Sequence, residues 1–240
     1  MVILELTLIF LATFLPSAIW LVFFLREDIH PEPKRLIVYA FALGGLASIP
    51  VLVLQIIFQS FALTVGLGPL ILILGLAAIE ECFKFFAAYL AVGHDAALDE
   101  PVDAMIYMIV AGLGFALVEN LFIIGNNLKS VNSMVLGFAL GTLSLRFVGA
   151  TLLHALSSSV VGFYWAKGFG RSQRLAPLIL RGLFFATLIH SFFNFLVIQT
   201  EDIGLIYPSL FLVVAAFFVL NDFEKLKAGE ADGAGGTPVV

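Results

Sequence analysis

Three glutamates, Glu80, Glu81 and Glu119, and two histidines, His154 and His190, stand inside long apolar stretches. All seven aspartates (28, 95, 99, 103, 202, 222 and 232) fall in polar connections, at the ends of those stretches or in the tail. An ionisable side chain at the centre of a bilayer costs at least about 2.5 kcal/mol, so such groups face a bundle interior and mark function. Glu80 and Lys84 are four residues apart, as are Phe115 and Glu119, and His190 and Asn194, so each helix presents a pair on one face. A carboxylate in a wet intramembrane pocket, beside histidines and an amide, supplies a proton acceptor for a water and donors for a developing oxyanion.

Each of these residues also has a structural reading. Glu81 lies three residues before Lys84, and the two can form a buried ion pair as readily as Glu81 can take part in catalysis. His154 is followed by Ser157, Ser158 and Ser159, which can glue helices by hydrogen bonds. Arg146 is placed as structural support, either snorkelling or partnering an embedded glutamate. Cys82 reads as a packing residue, because nothing basic but Lys84 lies near it in sequence. Other intramembrane chemistries lack their residues: there is no H-E-x-x-H, no pair of intramembrane aspartates, and no glycine-flanked serine with a later histidine.

The elements that must carry these groups follow from composition. Hydrophobic residues make up 61% of the 240, against roughly 45–50% in ordinary globular chains. With a mean hydropathy of +1.09 and 12% charged residues, a large soluble domain, disorder and a nucleic-acid-binding surface are excluded. The single cysteine excludes an intramolecular disulfide and a cysteine zinc cluster. A spanning helix needs about 20 apolar residues. Seven runs qualify, at 3–25, 36–60, 68–92, 102–125, 142–167, 175–199 and 204–222. The stretch 131–141 is too short to cross and reads as a re-entrant or interfacial helix, or half of an eighth span. The first run carries no Lys or Arg before Arg26 and reads as a span, not a signal peptide.

The fold class expected is therefore all-α, a polytopic membrane helix bundle of seven spans. It forms one transmembrane domain over residues 1–227 with the site-bearing core at 68–199, and a Gly-rich, disordered cytoplasmic tail at 228–240. Arg26, Lys34, Arg35, Lys167, Arg171, Arg174, Lys225 and Lys227 all fall on one side of such a bundle, and only Lys129 falls on the other. The positive-inside rule places the N-terminus outside and the C-terminus in the cytoplasm of a multi-pass protein of the cell membrane. At about 1.5 Å per residue, Glu80 and His154 lie roughly 18 Å from the outer ends of their spans, His190 roughly 14 Å and Glu119 roughly 9 Å. Four helices thus bring polar groups to overlapping depths, where one cavity can hold them. Gly112, Gly114, Gly141 and Gly149 are read as close helix contacts.

Glu80-Glu81-Cys82-Phe83-Lys84 reads as E-E-x-x-K, and Phe115 to Asn120 as F-x-x-x-E-N. With His154 in GATLLHALSSSVVG, and His190 and Asn194 in HSFFNF, these motifs resemble the PrsW family of intramembrane proteases, over about half of the chain. That family is related to the CAAX prenyl protease and bacteriocin-processing group. The resemblance implies that Glu80 is the general base for a water and that His190 with Asn194 forms the oxyanion site. Glu119 stands where the prenyl proteases have a water-orienting histidine; it orients water, shares a proton with Glu80 or binds metal. Lys84, Asn120 and Arg146 are supporting residues. The favoured mechanism uses no cofactor, with zinc on Glu119, His154 and His190 as the alternative. The implied substrate is a transmembrane protein cut near the outer face, in the manner of a membrane-anchored anti-sigma factor. The competing class is a proton-coupled transporter or receptor, which also buries Glu and His.

Overall fold

The computed structural model describes residues 2–128, 147–169, 175–199 and 206–233. Seven α-helices lie within them: α1 (Val2–Phe24), α2 (Lys34–Val65), α3 (Pro69–Val92), α4 (Pro101–Leu128), α5 (Leu152–Ala166), α6 (Leu175–Gln199) and α7 (Ile206–Gly233). There is no strand among the described residues. Helices are the expected answer for apolar runs of this length, because a helix satisfies its own backbone groups where no water can. Four of them, in α2, α4, α6 and α7, are long and apolar enough to cross a membrane. With its 24 residues α3 has the length, but it carries Glu80, Glu81 and Lys84 in its middle.

The helix ends follow local chemistry. Gly66 ends α2 in the left-handed region at φ 71°, and the Leu67 amide reaches back to the Ala62 carbonyl at 2.8 Å. This is the glycine cap that closes many helices. Pro69 then opens α3, where its missing N–H costs nothing. A π-helical turn, Phe147–Thr151, leads into α5, so in the described part of the run expected from 142 the α-helix begins at Leu152. The sequence boundary at 227 is overrun as well. Helix-forming Lys225, Lys227, Ala228 and Glu230 carry α7 on to Gly233. Arg146, Gly141 and the stretch 131–141 lie outside the described residues.

Every residue from Val102 to Ala116 is buried, so α4 is the central helix, apolar on all sides but for Asp103 and the Tyr107 hydroxyl near its start. Its neighbours approach closely at glycines. A Cβ on Gly44 would stand 2.0 Å from the Ala111 carbonyl oxygen, one on Gly114 2.0 Å from that of Phe41, and one on Gly112 2.4 Å from Ser158 Oγ. These contacts bind α2 and α5 to α4 backbone against backbone. The outer face of α2 instead shows Val38, Leu46, Val53, Ile57 and Leu63 to its surroundings, as a lipid-facing helix does. The connections at 25–33 and 93–100 and the C-terminal part of α7 meet at one end. There His30 pairs with Glu100 at 2.8 Å and Lys227 with Glu27 at 2.7 Å.

Candidate active site

Glu80, Glu81 and Lys84 on α3 meet Phe115 and Glu119 on α4, His154 and Ser157 on α5, His190 on α6 and Gln55 on α2. Consecutive helical residues diverge by about 100°. Glu80 and Glu81 therefore cannot face the same partners, and they do not.

Glu81 faces inward. Its Oε1 accepts hydrogen bonds from Lys84 Nζ at 2.7 Å, His190 Nδ1 at 2.7 Å and Ser157 Oγ at 2.9 Å. The expected Glu81–Lys84 ion pair is present, with both side chains fully buried. The Lys84 ammonium also lies 2.7 Å from His154 Nδ1 and 5.1 Å from the centroid of the Phe115 ring, so its charge is met on three sides. An ammonium can only donate. His154 Nδ1 must then be the acceptor, its proton sits on Nε2, and Nε2–H donates to Glu119 Oε2 at 2.6 Å. A carboxylate can only accept, which fixes one proton of His190. Its Nδ1–H donates to the Glu81 carboxylate, and in the neutral imidazole Nε2 then carries the lone pair. A continuous chain of hydrogen bonds thus runs from Glu119 through His154, Lys84 and Glu81 to His190. The two histidine rings meet edge to face, 5.1 Å between centroids.

Glu80 stands at the end of this chain. Its Oε1 accepts from Gln55 Nε2 at 2.8 Å, while its buried Oε2 has no hydrogen-bond partner. That oxygen lies 3.6 Å from His190 Nε2 and 4.0 Å from His154 Nδ1. A buried acceptor left unsatisfied is costly in an ordinary core and is informative for that reason.

The metal question can be put to this geometry. Glu80, His154 and His190 each offer a ligand atom within 4.8 Å of the others, and a Glu–His–His set is of the type that holds catalytic zinc. Glu80, not Glu119, completes that trio, because Glu119 occupies the far nitrogen of His154. The Glu81 carboxylate behind His190 Nδ1 is the outer partner that metal-bound histidines usually have. The donors fit the ion in kind and spacing, on the condition that Lys84 gives up the His154 lone pair.

Of the remaining expected residues, Asn120 donates to Thr151 Oγ1 at 3.1 Å and so ties α4 to the π-helical turn that precedes His154. Asn194 is half-buried one turn beyond His190; among the described residues no hydrogen bond joins it to the cluster. Ser159 bonds the carbonyl of Leu156 in its own helix, so of the three serines only Ser157 bonds to the charged network. Gln55 went unnoticed in the sequence. It is uncharged, and its one signal was an amide in the middle of an apolar helix.

Known proteins resemble the chain over most of its length. Residues 32–221 match the family model described as PrsW family intramembrane metalloprotease. "Protease PrsW" of Geobacillus kaustophilus strain HTA426 is 24% identical over 206 residues, 85% of each chain. "Protease PrsW" of Bacillus subtilis strain 168 is 26% identical over 212 residues, 86% of this chain and 89% of that one. "Protease PrsW" of Clostridioides difficile strain 630 is 21% identical over 222 residues, 90% of each. No solved structure matches the chain. The transporter or receptor reading gives way here: with a family model covering most of its length and the buried glutamates and histidines gathered in one cluster, the chain belongs to the PrsW family of intramembrane metalloproteases and is a protease.

Proposed function

We propose that this protease is an endopeptidase that cuts a membrane-anchored protein, of the class of anti-sigma factors, close to the outer face of the cell membrane, with Glu80 activating the attacking water. The observation that carries the reading is the pair of acceptors Glu80 Oε2 and His190 Nε2, 3.6 Å apart, with the carboxylate oxygen buried and unbonded. A water on that pair donates one hydrogen to each and turns a lone pair toward a peptide carbonyl. Glu80 takes the proton as the water oxygen adds to the carbonyl carbon, then delivers it to the leaving amine. Gln55 holds the carboxylate from its other oxygen, and Glu81 holds His190 in the tautomer that accepts. Glu119 and Lys84 lock His154 from both sides. Asn194 is assigned the oxyanion, which a substrate backbone brings to it, while His190, expected beside it as a donor, serves the water as an acceptor in this reading.

A second reading has its own support, the Glu80–His154–His190 trio. A zinc ion held there supplies Lewis-acid polarisation and a more acidic water when bound. Lys84 and a metal cannot share His154 Nδ1, so the two readings differ in a testable way.

In the membrane, we assign seven spans with the N-terminus outside and the C-terminus in the cytoplasm, as one domain ending in a polar tail. Arg26, Lys34, Arg35, Lys167, Lys225 and Lys227 then share the cytoplasmic face. The test uses full-length protein in liposomes with a single-pass substrate. Glu80→Gln is expected to abolish the cut product while unfolding stays as in the wild type. Wild-type cleavage by that variant would refute the base. Loss of cleavage in a strong chelator, recovery with added zinc and about one metal per chain would replace the first reading with the second.

A further inference from the structure

A second group of acids lies far from the first. Asp28, in the connection between α1 and α2, Glu32, just before α2, and Asp103, in the first turn of α4, each bring a carboxylate oxygen within 4.8 Å of the others. Sixteen residues of α4 separate Asp103 from Glu119, about 24 Å along the helix. The trio is bonded by backbone amides and a hydroxyl, and Asp103 and Glu32 are in hydrogen-bond contact with each other. The His30 amide donates to Asp28 Oδ1 at 2.9 Å, the Asp99 and Glu100 amides to Asp103 Oδ2 at 3.1 and 2.7 Å, and the Tyr107 hydroxyl to Glu32 Oε2 at 2.5 Å. The ion pairs nearby are made by other carboxylates, His30 with Glu100 and Lys227 with Glu27.

The trio is not a solvated face. Asp28 is 7% exposed and Asp103 1%. Asp28 Oδ2 is buried without any hydrogen-bond partner, although its carboxyl group faces Glu32 and Asp103. Burial, with Glu32 and Glu100 beside it, holds the Asp28 carboxyl above the usual carboxylate range. Like charges gathered out of water with no counter-charge are unstable unless something neutralises them.

We propose that Asp28, Glu32 and Asp103 form a binding site for a hard divalent cation, Ca²⁺ or Mg²⁺, which ties the α1–α2 connection to the start of the central helix. The donors are all carboxylate oxygens, the set that hard cations choose and that zinc, preferring nitrogen and sulfur, does not. Three oxygens within 4.8 Å of one another come to the Ca²⁺ bond length of about 2.3–2.6 Å by drawing in a few tenths of an ångström, and a Mg²⁺ ion fills the same place with retained waters. Tyr107 orients Glu32 from behind, as outer partners of metal ligands do.

Thermal unfolding of the full-length protein in detergent tests this, first in EDTA and then with CaCl₂, MgCl₂ or NaCl at matched ionic strength. One or both divalent salts should raise the midpoint saturably by several degrees, NaCl should not, and the lower half-saturating concentration identifies the ion. Asp28→Asn should need at least about tenfold more cation, since affinity follows the number of charged ligands. In EDTA the same variant should melt at or above the wild type, so the order of stability reverses between the two conditions. Glu32→Gln, at a less buried position, gives the same comparison if Asp28→Asn fails to fold. Glu80→Gln should keep the full shift, which separates this site from any metal at the reactive cluster. The absence of a saturable shift with either cation, or a shift undiminished in both Asp28→Asn and Glu32→Gln, overturns the proposal.

Discussion

Glu80 and Glu81 are adjacent, yet replacing each by glutamine should harm the protein in different ways. Glu81 Oε1 receives Lys84, His190 and Ser157, and neither Glu81 nor Lys84 has any exposed side-chain surface. Glu81→Gln leaves the ammonium buried with only His154 and the Phe115 face. Removing one partner of a buried pair costs about 3–5 kcal/mol. The glutamine carbonyl can still accept one or two of the three bonds, so the lower end, about 3 kcal/mol, is expected. Glu80→Gln breaks no ion pair, and its Oε2 already lacks a donor, so stability should change by no more than about 1 kcal/mol. Adding Lys84→Met to Glu81→Gln removes the stranded cation and should restore about 2 kcal/mol, a coupling that only contacting residues show. Cleavage should not return in the double variant, because His190 has lost the carboxylate that sets its tautomer. Unfolding in micelles, followed by fluorescence from Trp20 and Trp165, gives the stabilities, and substrate cleavage gives the activities. Equal destabilisation by Glu80→Gln and Glu81→Gln, or strictly additive effects in the double variant, would refute the division of labour.

Gln55→Leu should lower kcat by roughly tenfold at little change in KM, since a hydrogen bond to a charged group is worth about 1.5–3 kcal/mol and this one only positions the base; initial rates over a substrate range decide it. Reporter fusions at residue 64 should read as extracellular and at residue 97 as cytoplasmic, and the opposite pattern would invert the assigned orientation. Asp28 has a carboxyl raised in the fold by burial. Its contribution is therefore favourable at low pH and is lost as pH rises through the folded value. Asp28→Asn in EDTA should accordingly gain on the wild type toward neutral pH and lose that gain below about pH 4, as unfolding midpoints across a pH series will show.

The helices were legible because apolar runs of membrane length permit little else. The seven runs at 3–25, 36–60, 68–92, 102–125, 142–167, 175–199 and 204–222 each correspond to one helix. Their ends were not legible where capping decides them: α2 continues to Gly66, which turns left-handed, and α5 begins behind a π-helical turn. The clustering of Glu80, Glu81, Glu119, His154 and His190 could be read because burying such groups is expensive and therefore sparse. The same argument misplaced the acids at the other end. Asp28 and Asp103 looked like ordinary loop and helix-end carboxylates, and only the packing of the α1–α2 connection against α4 buries them. Gln55 escaped for the converse reason, since an uncharged amide costs too little in an apolar helix to stand out.

Spacing alone allowed Lys84 to reach Glu80 at i,i+4 or Glu81 at i,i+3, and the choice between them sets the chemistry of the site. Had Lys84 paired with Glu80, that carboxylate would have been neutralised and Glu81 left as the uncompensated charge behind His190. Paired with Glu81, and bonded also to His154 Nδ1, the lysine fixes one histidine directly and the other through the carboxylate. Glu80 is left without a cation of its own, and its Oε2 lies 3.6 Å from His190 Nε2. The proposed general base needs that asymmetry: Glu81 is bound to the buried cation, while Glu80 keeps an oxygen in want of a donor beside a histidine.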